Sequence, residues 1–175
     1  LDQKKNKGDG TAAYLANYNV RWFGFDLSEL RTMDFSGSDR AKYSLTKGDV
    51  LVCEGGEPGR AAVWEEQLPE CYFQKALHRV RVDRDNLDPH FLVRVLWFFA
   101  KTGAFSSGVS KATIAHLTGV KLKSLEIPVP PIALQNQYSE RIRSLRILKV
   151  REEGYLTGLR GLSGSLTQRA FKGDL

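Results

Sequence analysis

The sequence predicts an α+β protein: a compact β-rich domain with a few short helices over residues 1–131, followed by one long C-terminal coiled-coil helix over residues 132–175. Three observations predict it. Aromatic and β-branched residues recur in short runs between Gly and Pro turns across the first half. A capped apolar helix opens at Asp88-Pro89. No proline follows Pro131, so everything beyond it can run as a single helix.

Taken in order, Tyr14–Val20 and Trp22–Phe25 read as short strands, with Gly24 marking a turn. Lys47-Gly48-Asp49 turns the chain into Val50–Cys53, a buried strand by its length and valine content. Gly55-Gly56-Glu57-Pro58-Gly59-Arg60 holds three glycines and a proline and specifies a tight loop, after which Ala61–Trp64 reads as the return strand. Tyr72–Val82 reads as a further strand. Its period of two places Lys75, Arg79 and Arg81 on one face and Ala76, His78, Val80 and Val82 on the other. At Asp88-Pro89 the carboxylate can accept from free backbone N–H groups and Pro suits the first helical position, so His90–Lys101 is expected to be helical up to Gly103. Gly103–Lys111 is a Gly/Ser-rich loop; Thr113–Leu117 follows, and Val120–Ile127 is expected to be a strand. Val129-Pro130-Pro131 then breaks the pattern as a rigid entry to the last helix.

Leu134–Phe171 reads as one helix of ~57 Å at 1.5 Å per residue. Leu145, Leu148, Tyr155, Leu159, Leu162 and Leu166 all fall on the a and d positions of one heptad frame, with Glu152 the polar exception. A stripe of that kind fits either a partner helix or a fold-back onto the chain's own domain. Gly154, Gly158, Gly161 and Gly164 each cost up to ~1 kcal/mol relative to Ala, so a break or a close helix crossing is expected as an alternative there.

Composition narrows the function. With 42% hydrophobic and 26% charged residues the chain is a folded globular protein, not a collagen-like, mucin-like or disordered one. Two cysteines make no disulfide framework, no apolar run approaches the ~18–20 residues a bilayer requires, and the lysine-rich start lacks a signal core, so a cytoplasmic protein with reduced thiols is expected. A polar, loop-like start without Met suggests that the chain begins inside a domain. The net charge of +6 suits a polyanionic partner. It is unevenly placed: Pro89–Leu125 holds Arg94, Lys101, Lys111, Lys121, Lys123, His90 and His116 and not one Asp or Glu. Lysines on Gly/Ser loops beside hydroxyl groups suit phosphates, although the same segment also fits an ordinary solvated basic face.

Tests for catalysis fail. Val129-Pro130-Pro131-Ile132 resembles an amino-methyltransferase site only in its prolines, because the acidic or amide residue that would accept the exocyclic amine is absent. The glycine loop lacks both the Lys-Ser/Thr ending of a P-loop and the spacing of a dinucleotide fingerprint. His78, His90 and His116 are scattered and read as structural; no zinc pattern or carboxylate cluster forms, and Cys53 on its apolar strand reads as core. No catalytic residue, metal or cofactor is expected.

Gly48-Asp49-Val50-Leu51-Val52-Cys53-Glu54-Gly55-Gly56-Glu57-Pro58-Gly59-Arg60 and Cys71-Tyr72-Phe73-Gln74-Lys75-Ala76-Leu77-His78-Arg79-Val80 closely resemble target recognition domains of type I restriction-modification specificity subunits. Thr113-Ile114-Ala115-His116-Leu117, Ile127-Pro128-Val129-Pro130-Pro131 and Leu134-Gln135 resemble that family's strand and proline entry to its spacer helix. Arg169–Leu175 resembles its terminal segment. The resemblance implies a non-catalytic subunit that reads double-stranded DNA and docks methyltransferase and restriction subunits. An intact subunit carries two recognition domains and two long antiparallel helices, so this chain resembles one half, plausibly the C-terminal half. Pairing with another copy would then cover the stripe from Leu145 to Leu166 and rebuild the two-domain layout.

Within that reading Ser110, Lys111, Thr113 and His116, in and after the acid-free loop, are candidates for phosphate or base contacts. Arg60 in the glycine loop and Gln74, Lys75 and Arg79 on the expected strand are the others. The competing readings are an interaction adaptor that binds no DNA and uses its helix as a coiled-coil tether, and a small nucleotide-using enzyme built around the glycine loop.

Overall fold

The computed structural model describes residues 10–106 and 116–174. The chain divides into two units, Leu1–Gln135 and Asn136–Leu175. In the first, β1 (Thr11–Leu15) leads through a 3-10 turn at Asn17–Asn19 to a two-residue hairpin, β2 (Val20–Arg21) and β3 (Gly24–Phe25). After β4 (Arg31–Asp34) and helix α1 (Gly37–Tyr43) come β5 (Val50–Cys53), β6 (Ala61–Val63), β7 (Tyr72–Phe73) and β8 (Leu77–Val80). Helices α2 (Pro89–Thr102) and α3 (Gly119–Lys123) complete it, and α4 runs from Ile132 to Lys172.

Two three-stranded sheets carry the domain. One is mixed, in the order β4-β1-β7, with β1 antiparallel to β4 and parallel to β7 (Tyr14 opposite Tyr72). The other is antiparallel, in the order β6-β5-β8. Strand β5 explains why its sequence is an unbroken apolar run. Its side chains alternate in direction, so Leu51 and Cys53 enter a core with Phe35, Trp64 and Tyr72, while Val50 and Val52 enter a second core with Leu92, Val93 and Leu96 of α2. All four residues are fully buried. Each large aliphatic side chain so placed contributes about 1.5–3 kcal/mol.

The capping chemistry behaves as expected at α2. Asp88 Oδ1 accepts from the Phe91 N–H at 2.8 Å, Pro89 opens the helix, and Gly103 ends it at φ +71°. Other expectations are corrected. The turn expected at Gly24 falls at Trp22–Phe23, and Gly24 opens β3. The strand expected over Tyr14–Val20 stops at Leu15, because buried Asn19 accepts from Ala16 N–H (2.9 Å) and donates to the carbonyls of Asp26 and Glu29 (2.9 Å each), knitting a turn there. Tyr72–Val82 is two strands in different sheets, split by a turn in which Leu77 N–H donates to Gln74 O at 3.0 Å. Lys75 sits in that turn and leaves the alternation that Arg79 and Arg81 keep. Val120–Ile127 is not a strand: Thr118 caps α3 by accepting from Lys121 N–H (3.4 Å), and no strand lies alongside among the described residues.

The second unit is helical as far as Lys172. α4 continues through Gly154, Gly158, Gly161 and Gly164 without a break, and beyond the helix's own backbone nothing among the described residues lies within 4 Å of where their Cβ atoms would stand. The expected stripe is solvent-facing along its whole length, from Leu166 at 44% to Leu159 at 62% exposed.

Candidate nucleic-acid interface

Strand β8 sets the site. Arg79 lies two residues before Arg81, and both line a cavity of about 720 Å³ together with Lys42 and Tyr43 from the end of α1, Lys75 from the turn after β7, and Lys123 from the end of α3. The floor is apolar, with Leu77, Leu92 and Leu96 among it, and Phe73 joins Tyr43 in the wall. Five cations thus surround one concavity that no Asp or Glu lines among the described residues.

The five are not equivalent. Arg81 donates through Nε to Asp49 Oδ1 (2.7 Å) and through Nη2 to Asp49 Oδ2 (3.1 Å), and Asp49 is buried where it also accepts from Thr46 N–H (2.9 Å). That hydrogen bonding raises the Arg81 pKa above the ordinary arginine value. Arg79 donates to Ser44 O at 2.6 Å and lies over the Phe73 ring; burial, with Arg81 adding to it, lowers its pKa. Guanidinium groups stay protonated through shifts of this kind. Lys42, Lys75 and Lys123 are exposed and form no ion pair among the described residues. Asp49 compensates the charge of Arg81, so the positive field of the concave surface comes from the Arg79 guanidinium and the three exposed ammonium groups, an arrangement suited to the phosphate oxygens of a polyanion.

The other candidates are dispersed. Arg60 serves the glycine loop: its guanidinium donates to Asn17 O (3.0 Å) and Asn17 Oδ1 (3.3 Å) and pairs with Glu57 (3.2 Å), while its Nε is buried without a hydrogen-bond partner among the described residues. Gln74 is half-buried, its N–H bonded to Leu15 O at 3.0 Å. His116 is exposed; the next residue, Leu117, donates to Glu54 O (2.7 Å) and its carbonyl meets His78 Nε2 at 2.9 Å. Ser110, Lys111 and Thr113 lie outside the described residues. Lys42, Tyr43, Phe73, Arg81 and Lys123 are not among the sequence candidates; Arg81, on the Arg79 face of the expected strand, and Lys123, inside the acid-free stretch, carried a local signal.

The cysteines belong to the core. Burial pushes the thiols of Cys53 and Cys71 up to about 11 each. Among the described residues no group of His, Cys, Asp and Glu is placed to hold a metal ion, and no helix is long and apolar enough to cross a membrane.

Comparison with known proteins identifies the family. The model of the type I restriction modification DNA specificity domain matches residues 4–150. Over 111 residues the chain is 26% identical to a putative type I restriction enzyme MjaX specificity subunit of Methanocaldococcus jannaschii, an alignment covering 61% of this chain and 26% of that protein. Among solved structures, a chain from work on complex assembly and conformational transition of the type I R-M system superposes with a TM-score of 0.58 at 21% identity, covering 97% of this chain and 40% of that one. The HsdS subunit from Thermoanaerobacter tengcongensis gives the same TM-score at 18% identity, with 87% and 40% covered. The chain therefore spans a quarter to two fifths of these relatives, whose fold it shares. With well over half of its residues matched by that family's model, the chain belongs to the type I restriction modification DNA specificity domain family.

Proposed function

We propose that this chain is a non-catalytic DNA-recognition module, one half of a type I specificity subunit. It reads one half of a bipartite target in double-stranded DNA and docks methyltransferase and restriction subunits. The observation that carries the reading is the five-cation cleft beside β8, free of acidic lining among the described residues, in a chain of this family. Lys42, Lys75 and Lys123 grip phosphates as exposed point charges, Arg79 and Arg81 orient the duplex from fixed positions, and Gln74, Ser110, Lys111, Thr113 and His116 remain the candidates for base or further phosphate contacts. The exposed stripe from Leu145 to Leu166 pairs with the same helix of a second copy, giving a two-fold homodimer that presents two recognition domains.

The test is fluorescence anisotropy on random-sequence duplexes, with the chain alone and assembled with methyltransferase subunits, across a salt series. Each phosphate contact removed should lower the slope of log affinity against log salt by about 0.9. Lys42→Ala, Lys75→Ala and Lys123→Ala combined should lower it by roughly 2–3 and weaken all duplexes alike. An unchanged slope removes the cleft from the interface. No salt-sensitive binding in any assembly would instead support a coiled-coil adaptor.

A further inference from the structure

The outer face of α2 holds a second construction that shares no residue with the cleft. Leu92, Val93, Val95 and Leu96 bury the inner face, and Arg94, Trp97, Phe98 and Lys101 stand at i, i+3, i+4 and i+7 on the outer one. Phe23, in the turn of the β2–β3 hairpin, has a positive φ of 68°, a conformation a bulky residue rarely adopts, and its N–H donates to Ala61 O at 3.1 Å. That backbone sets its ring 4.1 Å from the Arg94 guanidinium, with Trp97 5.1 Å from the same carbon. Trp22, beside Phe23, is itself held by an Nε1–H bond of 2.6 Å to Glu57 Oε1.

Arg94 is thereby held against two rings, while its ion-pairing capacity is unused among the described residues. The nearby acids are committed elsewhere: Glu57 to Arg60 (3.2 Å) and Trp22, and Glu65 to His90 (2.9 Å). A stacked guanidinium keeps its N–H edges free for a planar oxyanion, which it takes as a fork. Phe98, on the same face, is 56% exposed.

We propose that this face is a docking surface for a partner protein, one that inserts an Asp or Glu carboxylate against Arg94 and an adjacent apolar side chain against Phe98 and Trp97. Charge complementarity and composition select the occupant. α2 itself carries no acid and adds Lys101, which calls for an acidic partner, while the exposed aromatic surface is the make-up of a protein–protein hot spot and not of the polar, wet contact DNA makes. The inference stands apart from DNA reading by the cleft.

The test uses the full chain, ¹⁵N-labelled, with the indole signals assigned by Trp→Phe substitution. Three probes are titrated: a short synthetic peptide with a central Leu-Glu-Phe, its Leu-Gln-Phe twin, and a random-sequence duplex. The Glu peptide should shift the Trp97 indole signal and bind about tenfold more tightly than the Gln twin. R94K, which keeps the charge and loses the fork, and F98A should each weaken it several-fold without moving signals from the cores. Equal binding of the two peptides, no shift from either at millimolar concentration, a Trp97 shift caused by the duplex, or concentration-dependent self-association abolished by F98A would each overturn the proposal.

Discussion

Gln135→Leu is expected to destabilise the first unit more than any surface substitution. Gln135 is fully buried with each of its polar atoms engaged: Oε1 accepts from Asp88 N–H (2.9 Å), and Nε2 donates to Asn86 O (3.0 Å) and Pro130 O (2.7 Å). Leu is close in size and carries no polar atom, so the loss of the hydrogen bonds dominates. Each contributes about 1 kcal/mol net, and an orphaned buried partner adds about 1–3 kcal/mol. Asn86 is exposed and its carbonyl can turn to water, whereas Asp88 and Pro130 are half-buried. Three bonds at about 1 kcal/mol each, with at least about 1 kcal/mol more for each of the two half-buried partners, put the loss at about 5 kcal/mol or above. Asp88 also caps α2, so the helix start loosens with it. Urea unfolding followed by tryptophan fluorescence reads this unit alone, because Trp22, Trp64 and Trp97 all lie within it. A loss below about 1 kcal/mol would refute the reasoning, since it would mean the three groups find water or other partners without cost.

Gly59→Ala should cost about 2–4 kcal/mol, because its φ of +85° suits glycine and a Cβ there would stand 2.5 Å from two atoms of the Phe105 ring. Adding Phe105→Leu should recover part of that loss, and an unaltered urea midpoint for the single variant would contradict the geometry. The two core thiols, raised to about 11, should resist a thiol-specific chromogenic reagent at pH 8 until the chain unfolds. Their sign follows from linkage. The folded state keeps protons that the unfolded thiols lose from their usual value of 9.0, so the stability this contributes is full below pH 9 and declines between pH 9 and 11. Rapid labelling in native buffer, or a flat stability profile over that window, would count against it.

Local chemistry made much of the fold readable. The Asp-Pro cap of α2, the apolar run of β5 and the glycine loop each depend on neighbours in sequence, and each was legible there. What sequence hides is tertiary choice. The two parts of Tyr72–Val82 look like one strand because both satisfy the same alternation, and only the sheet each one joins separates them. Val120–Ile127 has β-branched ends, but Thr118 supplies a helix cap and no neighbouring strand is present among the described residues to repay extension. The stripe of α4 was visible because heptad spacing is a sequence property. The cleft was half visible: Arg79 and Arg81 share one face of the expected Tyr72–Val82 alternation, but Lys42 and Lys123 come from separate helices, and no local pattern announces that they meet.

The pairing order of the strands has a consequence for how the domain assembles. β1 is the centre of its sheet, yet its parallel partner β7 comes only after β5 and β6 of the other sheet, which in turn awaits β8. The single stretch from Tyr72 to Val80 supplies the last strand of both. A growing chain ending short of it exposes two unfilled sheet edges at once, each open to pairing with another molecule. Once it is present, both loops close within a few residues of one another, so the sheets should form as one cooperative event, leaving no stable half-built intermediate.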